Sequence, residues 1–149
     1  MRLYSINHQD VSPAASIQTL IEFTAGAVLS DCVVRANCSQ RGSTTTNQQD
    51  VSIQRKTAVG TNVTAPNARQ LDPGDAAFGG TVRGLETVEG TAGDVDYPDS
   101  FNWVNGWTYL PYPDERIWQP GAGIQSLRLP TAPPSGLVVN ASLLIGEVG

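Results

Sequence analysis

The chain has little charge, little sulfur and no long apolar run. Of its 149 residues only 15% are charged, two are cysteine and one is histidine. The shortage of Glu, Lys and Leu runs argues against a helical protein. Only Glu86, Glu89 and Glu115 with its neighbours hint at helical surface chemistry. A formal net charge of −5 speaks against nucleic acid as a partner, because phosphate recognition wants a basic patch. Arg55-Lys56 is the one basic pair, and it reads as a solvated strand end. No apolar stretch approaches the ~20 residues of a membrane-spanning helix. The opening MRLYSINHQD has no apolar core of a secretory signal, so synthesis and retention in the cytoplasm are the expectation.

The scarce residues also bound the chemistry. His8 stands alone, with no Cys or carboxylate cluster beside it, so neither a metal centre nor a Ser-His-Asp set is expected. Cys32 and Cys38 read as free thiols. They share the parity of one strand and lie too far apart along it to bond without a bend. Asp94, Asp96 and Asp99 in GDVDYPD have a spacing loosely like a calcium loop. They lack its fixed glycine and terminal glutamate, so a solvated acidic turn is the plainer reading. Asp114 and Glu115 are adjacent, and adjacent strand residues point to opposite faces, so they form no acid/base pair. No enzyme and no cofactor are expected.

What is present is the grammar of a β protein. Gly and Pro contribute 15 and 10 residues and punctuate short apolar runs. Segment 101–134 holds all three tryptophans and Asn105-Gly106, Pro111-Tyr112-Pro113 and Pro120-Gly121. Period-two alternation marks strands at 16–25, 50–57 and 137–148; 124–129 reads as a further strand, and 28–38 and 77–88 as weaker ones. Helix is the alternative at 28–38. Asn105-Gly106 predicts a type I′ hairpin joining 101–104 to 107–110, with a short strand at 115–118. Ser39 to Asn47 reads as a polar loop. Residues 58–74 read as one long irregular loop, with a turn at Asp72-Pro73-Gly74. The expectation is an all-β sandwich or jelly roll of about eight short antiparallel strands, in one domain over 15–149. Residues 1–14 are expected to form an N-terminal arm, since Asn7 to Ser12 is polar and Pro13 interrupts pairing. Trp103, Trp107, Tyr109, Tyr112 and Trp118 fit either a core and subunit interface or a sugar-stacking face.

Several strings carry a resemblance. They include Ile21-Glu22-Phe23-Thr24-Ala25, Ile53-Gln54-Arg55-Lys56-Thr57, Leu71-Asp72-Pro73-Gly74-Asp75, Asn105-Gly106-Trp107, Glu115-Arg116-Ile117, Leu127-Arg128-Leu129-Pro130 and Gly146-Glu147-Val148-Gly149. Together they resemble small structural virion proteins of tailed bacteriophages. The resemblance implies a head-decoration, or cement, protein: a trimeric β-sandwich on the outer capsid surface. Its implied partner is the major capsid protein, and its implied location is the virion. Contact residues expected on that basis are Leu3, Tyr4 and Ile6 in the arm and Arg69 and Asp72 in the long loop. A carbohydrate- or host-surface-binding module, or a tail or head-fibre component, is the alternative.

Overall fold

A computed structural model describes residues 1–41 and 46–149. Two antiparallel sheets pack face to face, with no α-helix among the described residues. The strands are β1 (Arg2–Val11), β2 (Gln18–Thr24), β3 (Ser30–Gln40), β4 (Gln48–Lys56), β5 (Thr61–Thr64), β6 (Ala68–Gln70), β7 (Thr81–Val88), β8 (Ala92–Asn102), β9 (Trp107–Tyr109), β10 (Ile117–Gln119), β11 (Ile124–Leu129) and β12 (Val139–Val148). Sheet A runs β10-β3-β12-β1-β6, with β9 also on β3, and sheet B runs β5-β7-β2-β11-β4-β8. The all-β sandwich expected from the sequence is therefore present, with twelve described strands in place of about eight.

Alternation builds the core. Val139, Ala141, Leu143 and Ile145 of β12 face Ile21 and Phe23 of β2, Val51 and Ile53 of β4, and Leu127 and Leu129 of β11 in one apolar cluster. Burying each such side chain stabilises the fold by roughly 1.5–3 kcal/mol relative to leaving it exposed. His8 is buried between the sheets, with Nδ1 3.0 Å from the Leu20 carbonyl and Nε2 2.8 Å from Thr64 Oγ1. It links β1 to β2 and β5 and has a structural role.

Five expectations are corrected. Residues 2–11 are not an arm: β1 lies inside sheet A, between β12 and β6. Its polar residues alternate with Tyr4, Ile6 and His8, which are all buried. Residues 58–74 are not one loop. They supply β5 at the edge of sheet B and β6 at the edge of sheet A, so this segment steps from one sheet to the other. The turn at its end is as expected, with Asp72 Oδ1 accepting the Gly74 N–H at 2.9 Å.

The Asn105-Gly106 hairpin does not form. Gly106 has φ of 67°, but Asn105 is not left-handed, as a type I′ turn requires. β8 ends at Asn102 on β4, whereas β9 pairs with β3 in the other sheet. Phe101, Trp103 and Trp107 all bury into the inter-sheet core, and that burial draws the chain across the gap between sheets. The strand expected at 115–118 starts later, because Pro113–Glu115 makes a single 3-10 turn before β10.

The cysteines do not point the same way. β3 carries an extra residue opposite β12, since Leu144 pairs with Arg35 but Ile145 with Val33. That bulge reverses the parity beyond Val34. Cys38 lies in the core, and Cys32 lies on the other face beside Met1. Both are free thiols. The polar loop expected at 39–47 lies partly outside the described residues, and its flanks continue β3 and begin β4.

Candidate functional site

The expected contact residues separate. Tyr4 and Ile6 are fully buried in the core, so neither is free to meet a partner. Leu3 is half-buried, while Arg69 and Asp72 are exposed. Arg69 sits opposite Ser5 in the β6–β1 pairing and lines a small polar cavity of about 250 Å³ with Asn7, Gln9 and Asn67. Asp72 is engaged in its own turn. These residues do not assemble into a site.

The aromatic set divides as well. Trp103, Trp107 and Tyr109 are buried, which is the core alternative. Trp118 and Tyr112 are exposed, Tyr112 by 78%, and Leu110 is exposed by 71%. Tyr97, Leu110 and Pro111 share a shallow cavity of about 510 Å³ with Thr108, Tyr109 and Glu115. The Tyr97 and Tyr109 rings lie 4.8 Å apart, tilted at 59°. Arg55 ties this edge together. It donates to the Trp118 carbonyl at 3.4 Å and pairs with Asp96, next to Tyr97, at 3.2 Å. This is the edge where β8 of sheet B meets β9 and β10 of sheet A.

Two of the three acidic residues of β8 have partners, and all three lie on a strand instead of the expected turn. Asp96 accepts from Gln125 Nε2 at 2.9 Å, and Asp99 accepts from Trp107 Nε1 at 2.9 Å. Asp94, Asp96, Asp99 and Pro98 along an exposed edge strand also discourage uncontrolled strand addition.

Two further groups lie inside the molecule. The first occupies the face of sheet B turned away from the apolar core. There Glu22, Gln54, Ser126 and Arg128 alternate with core residues. Lys56 joins them, and its side chain is fully buried. Its Nζ lies 2.5 Å from Glu86, 3.1 Å from Glu22 and 3.6 Å from Glu89. Arg83 approaches Glu22 at 3.5 Å and Arg128 approaches Glu89 at 3.3 Å. The solvated strand end expected at Arg55-Lys56 is thus half right: Arg55 is at the surface and Lys56 is not.

A left-handed residue makes this group possible. Leu85 has φ of 47° within β7. Gly84 faces His8 and Leu85 packs on the core, so Arg83 and Glu86 both reach the opposite face. Burial raises the Glu22 carboxyl to about 7, a hydrogen bond with Glu86 adds to this, and Lys56 opposes it. Burial would also raise Glu86, but its bonds with Glu22, Lys56 and the Gly90 amide outweigh that and hold it below the usual range. Glu22 therefore holds its proton up to a pH of about 7, and Glu86 ionises before it.

The second group sits on the core-facing side of sheet A, at one end of the sandwich. Gln119, Asp31 and Glu147 are direct cross-strand neighbours on β10, β3 and β12. Glu147 accepts from Tyr4 Oη at 3.1 Å and the Gly79 amide at 2.9 Å, and pairs with Arg2 at 3.0 Å. Asp31 has no such company: both its carboxylate oxygens are buried without a hydrogen bond. Burial first, and the charge of Glu147 second, raise its carboxyl to about 7.

Sequence reasoning missed both groups. Strand alternation hid the first, because outward residues were assumed to be solvated. The second needs a strand order that no local pattern encodes. Among the described residues, no three of His, Cys, Asp or Glu gather to hold a metal ion. The fold and its surface define an all-β sandwich with an exposed apolar edge. No family model, curated protein or solved structure matches the chain.

Proposed function

We propose that this chain is a structural virion protein: a capsid decoration protein that binds the outer surface of the head as a trimer and stabilises it. The observation that carries the reading is the apolar edge at Tyr97, Leu110, Pro111, Tyr112 and Trp118. An exposed apolar group rimmed by polar residues is the mark of an association surface. The occupant proposed for it is a second copy of the chain, repeated around a three-fold axis. Cyclic repetition lets one modest patch act several times over. A trimer that binds the assembled shell and not its free subunits stabilises the shell by mass action. The partly exposed Leu3 and the exposed Arg69 lie on a different part of the surface and are left for the shell, whose major capsid protein is the proposed partner.

Light scattering on the purified protein tests the first step. A trimeric mass that falls to a monomer in Leu110→Asp supports the reading, and a wild-type monomer overturns it. Co-sedimentation with capsids assembled from the major capsid protein tests the second. A second reading rests on the Tyr97–Tyr109 ring pair beside its shallow cavity, which offers stacking faces for a sugar. A monomer that binds glycans, and loses them in Tyr97→Ala without loss of fold, selects that reading instead.

A further inference from the structure

The group around Asp31 is incomplete as it stands. Its residues are deeply buried, Asp31 fully and Gln119 and Glu147 nearly so. Three of their oxygens have no hydrogen-bond partner: Asp31 Oδ1, Asp31 Oδ2 and Gln119 Oε1. Buried polar atoms without a partner are rare, and an ion or an ordered water is among their ordinary explanations. A buried carboxylate with no compensating group costs several kcal/mol.

Their placement sets the three side chains next to one another on one face. Val33, Ile145 and Ile117 face the core, and Asp31, Glu147 and Gln119 stand two residues further along the same three strands. Residues two apart share a face, and direct cross-strand partners bring their Cβ atoms to about 4.5–5.5 Å. Glu147 Oε1 accepts one N–H, from Gly79, and so retains a free lone pair. That gives four oxygen donors: two from Asp31, one from Gln119 and one from Glu147. Leu29 packs over Gly26 and Gly79, close to Glu147.

The charge is also unfinished. Arg2 offsets Glu147, and Asp31 remains uncompensated. Cys32 is on the opposite face, and His8 is engaged with Leu20 and Thr64. The donor set is all oxygen, which suits hard cations and not zinc or copper.

We propose that Asp31, Gln119 and Glu147 bind a hard cation of calcium or sodium size, which closes this end of the sandwich. The ion ties β10, β3 and β12 together. Through Glu147 it also holds Tyr4 and Arg2 of β1 and the Gly79 segment. Magnesium fits less well, because it demands near-ideal octahedral geometry and keeps several waters.

The test is thermal unfolding of the full chain above pH about 7, where Asp31 is ionised. Chelator-treated protein is compared with protein in excess Ca²⁺, Na⁺ or Mg²⁺ at matched ionic strength. Equilibrium dialysis with Ca²⁺ or Na⁺ counts ions per chain. Saturating cation is expected to raise Tm by about 5 °C or more, with one ion bound. A response to Ca²⁺ alone identifies a divalent site, and a response to Na⁺ alone a monovalent one. Asp31→Asn is expected to abolish the response, and Gln119→Leu to weaken binding at least about tenfold. Binding that survives Asp31→Asn overturns the location. If no wild-type response appears in any of the salts and dialysis finds no ion, Asp31 is simply protonated and the proposal fails. The wild-type measurement decides even if a variant does not fold.

Discussion

The two buried acidic groups solve one problem in opposite ways. On sheet B three carboxylates, Glu22, Glu86 and Glu89, meet three cations, Lys56, Arg83 and Arg128. At the end of sheet A two carboxylates, Asp31 and Glu147, meet the single guanidinium of Arg2. Burial is the main cause that raises both Glu22 and Asp31 to about 7. At Glu22 a hydrogen bond with Glu86 adds to it and Lys56 opposes it. At Asp31 the charge of Glu147 adds to it and no cation opposes it. Lysine occurs once in this chain, and it is spent on the first group. The lesson is that the same shift can stand in different surroundings: cations share the face of Glu22, and none faces Asp31.

That comparison breaks most sharply at Lys56. Lys56→Met leaves the Glu86 carboxylate buried with no cation beside it, so urea unfolding is expected to show a loss of about 3–5 kcal/mol. Asp31→Asn removes the unpaired charge of the other group. It is expected to leave stability equal or higher above pH about 7 in chelator. A loss there as large as that of Lys56→Met would erase the distinction.

The glycines beside each group sharpen the contrast at a smaller scale. A Cβ on Gly60 would fall 2.1 Å from Glu86 Oε2 and 2.5 Å from the Val88 carbonyl, against fixed backbone. A Cβ on Gly79 would fall 2.6 Å from Leu29 Cδ1, the far end of a flexible side chain. Gly60→Ala is therefore expected to cost about 1–3 kcal/mol, and Gly79→Ala less, by the same denaturation measurement.

The pH profile separates the groups further. Asp31 and Glu22 have folded pKa values raised above their unfolded ones, so the folded state binds more protons than the unfolded state between the two values. Stability in chelator is then expected to fall as pH rises toward about 7, and to level off above it. Glu86 is lowered and works the other way, its contribution being lost as pH falls through its folded value. Asp31→Asn is expected to flatten the decline without removing the share from Glu22. An unchanged slope in that variant would mean that Asp31 does not titrate as described.

The smallest effect on stability is expected at the apolar edge. Tyr112→Ser should change unfolding free energy by no more than about 0.5 kcal/mol, since the side chain is 78% exposed. If the edge joins subunits, the same variant lowers the native mass in light scattering. A stability loss without any change in mass would assign Tyr112 to the monomer instead.

Some of this architecture was legible in the residues themselves. The turn at Asp72-Pro73-Gly74 and the strands at 50–57, 124–129 and 137–148 follow from local chemistry and alternation, and these elements appear close to where they were expected. β1 was hidden by its polar outward residues and Pro13, although Tyr4, Ile6 and His8 keep period two. β5 and β6 have four and three residues, too short to show any period. The Asn105-Gly106 signal was overridden because Phe101, Trp103 and Trp107 gain more by entering the core than by pairing in a hairpin.

The sequence by itself determined the class of fold, since period-two patterning with Gly and Pro punctuation suits two half-buried sheets and little else. Strand order, the bulge at Val34, the left-handed turn of the backbone at Leu85, and the meeting of Lys56 with Glu22, Glu86 and Glu89 were decided only in three dimensions. The same holds for Asp31 beside Gln119 and Glu147, which are separated by 88 and 116 positions in the chain. Alternation tells which side of its own strand a residue takes. It does not tell which strand lies next to it, and in a sheet that neighbour sets the charge, the solvation and the chemistry of the site.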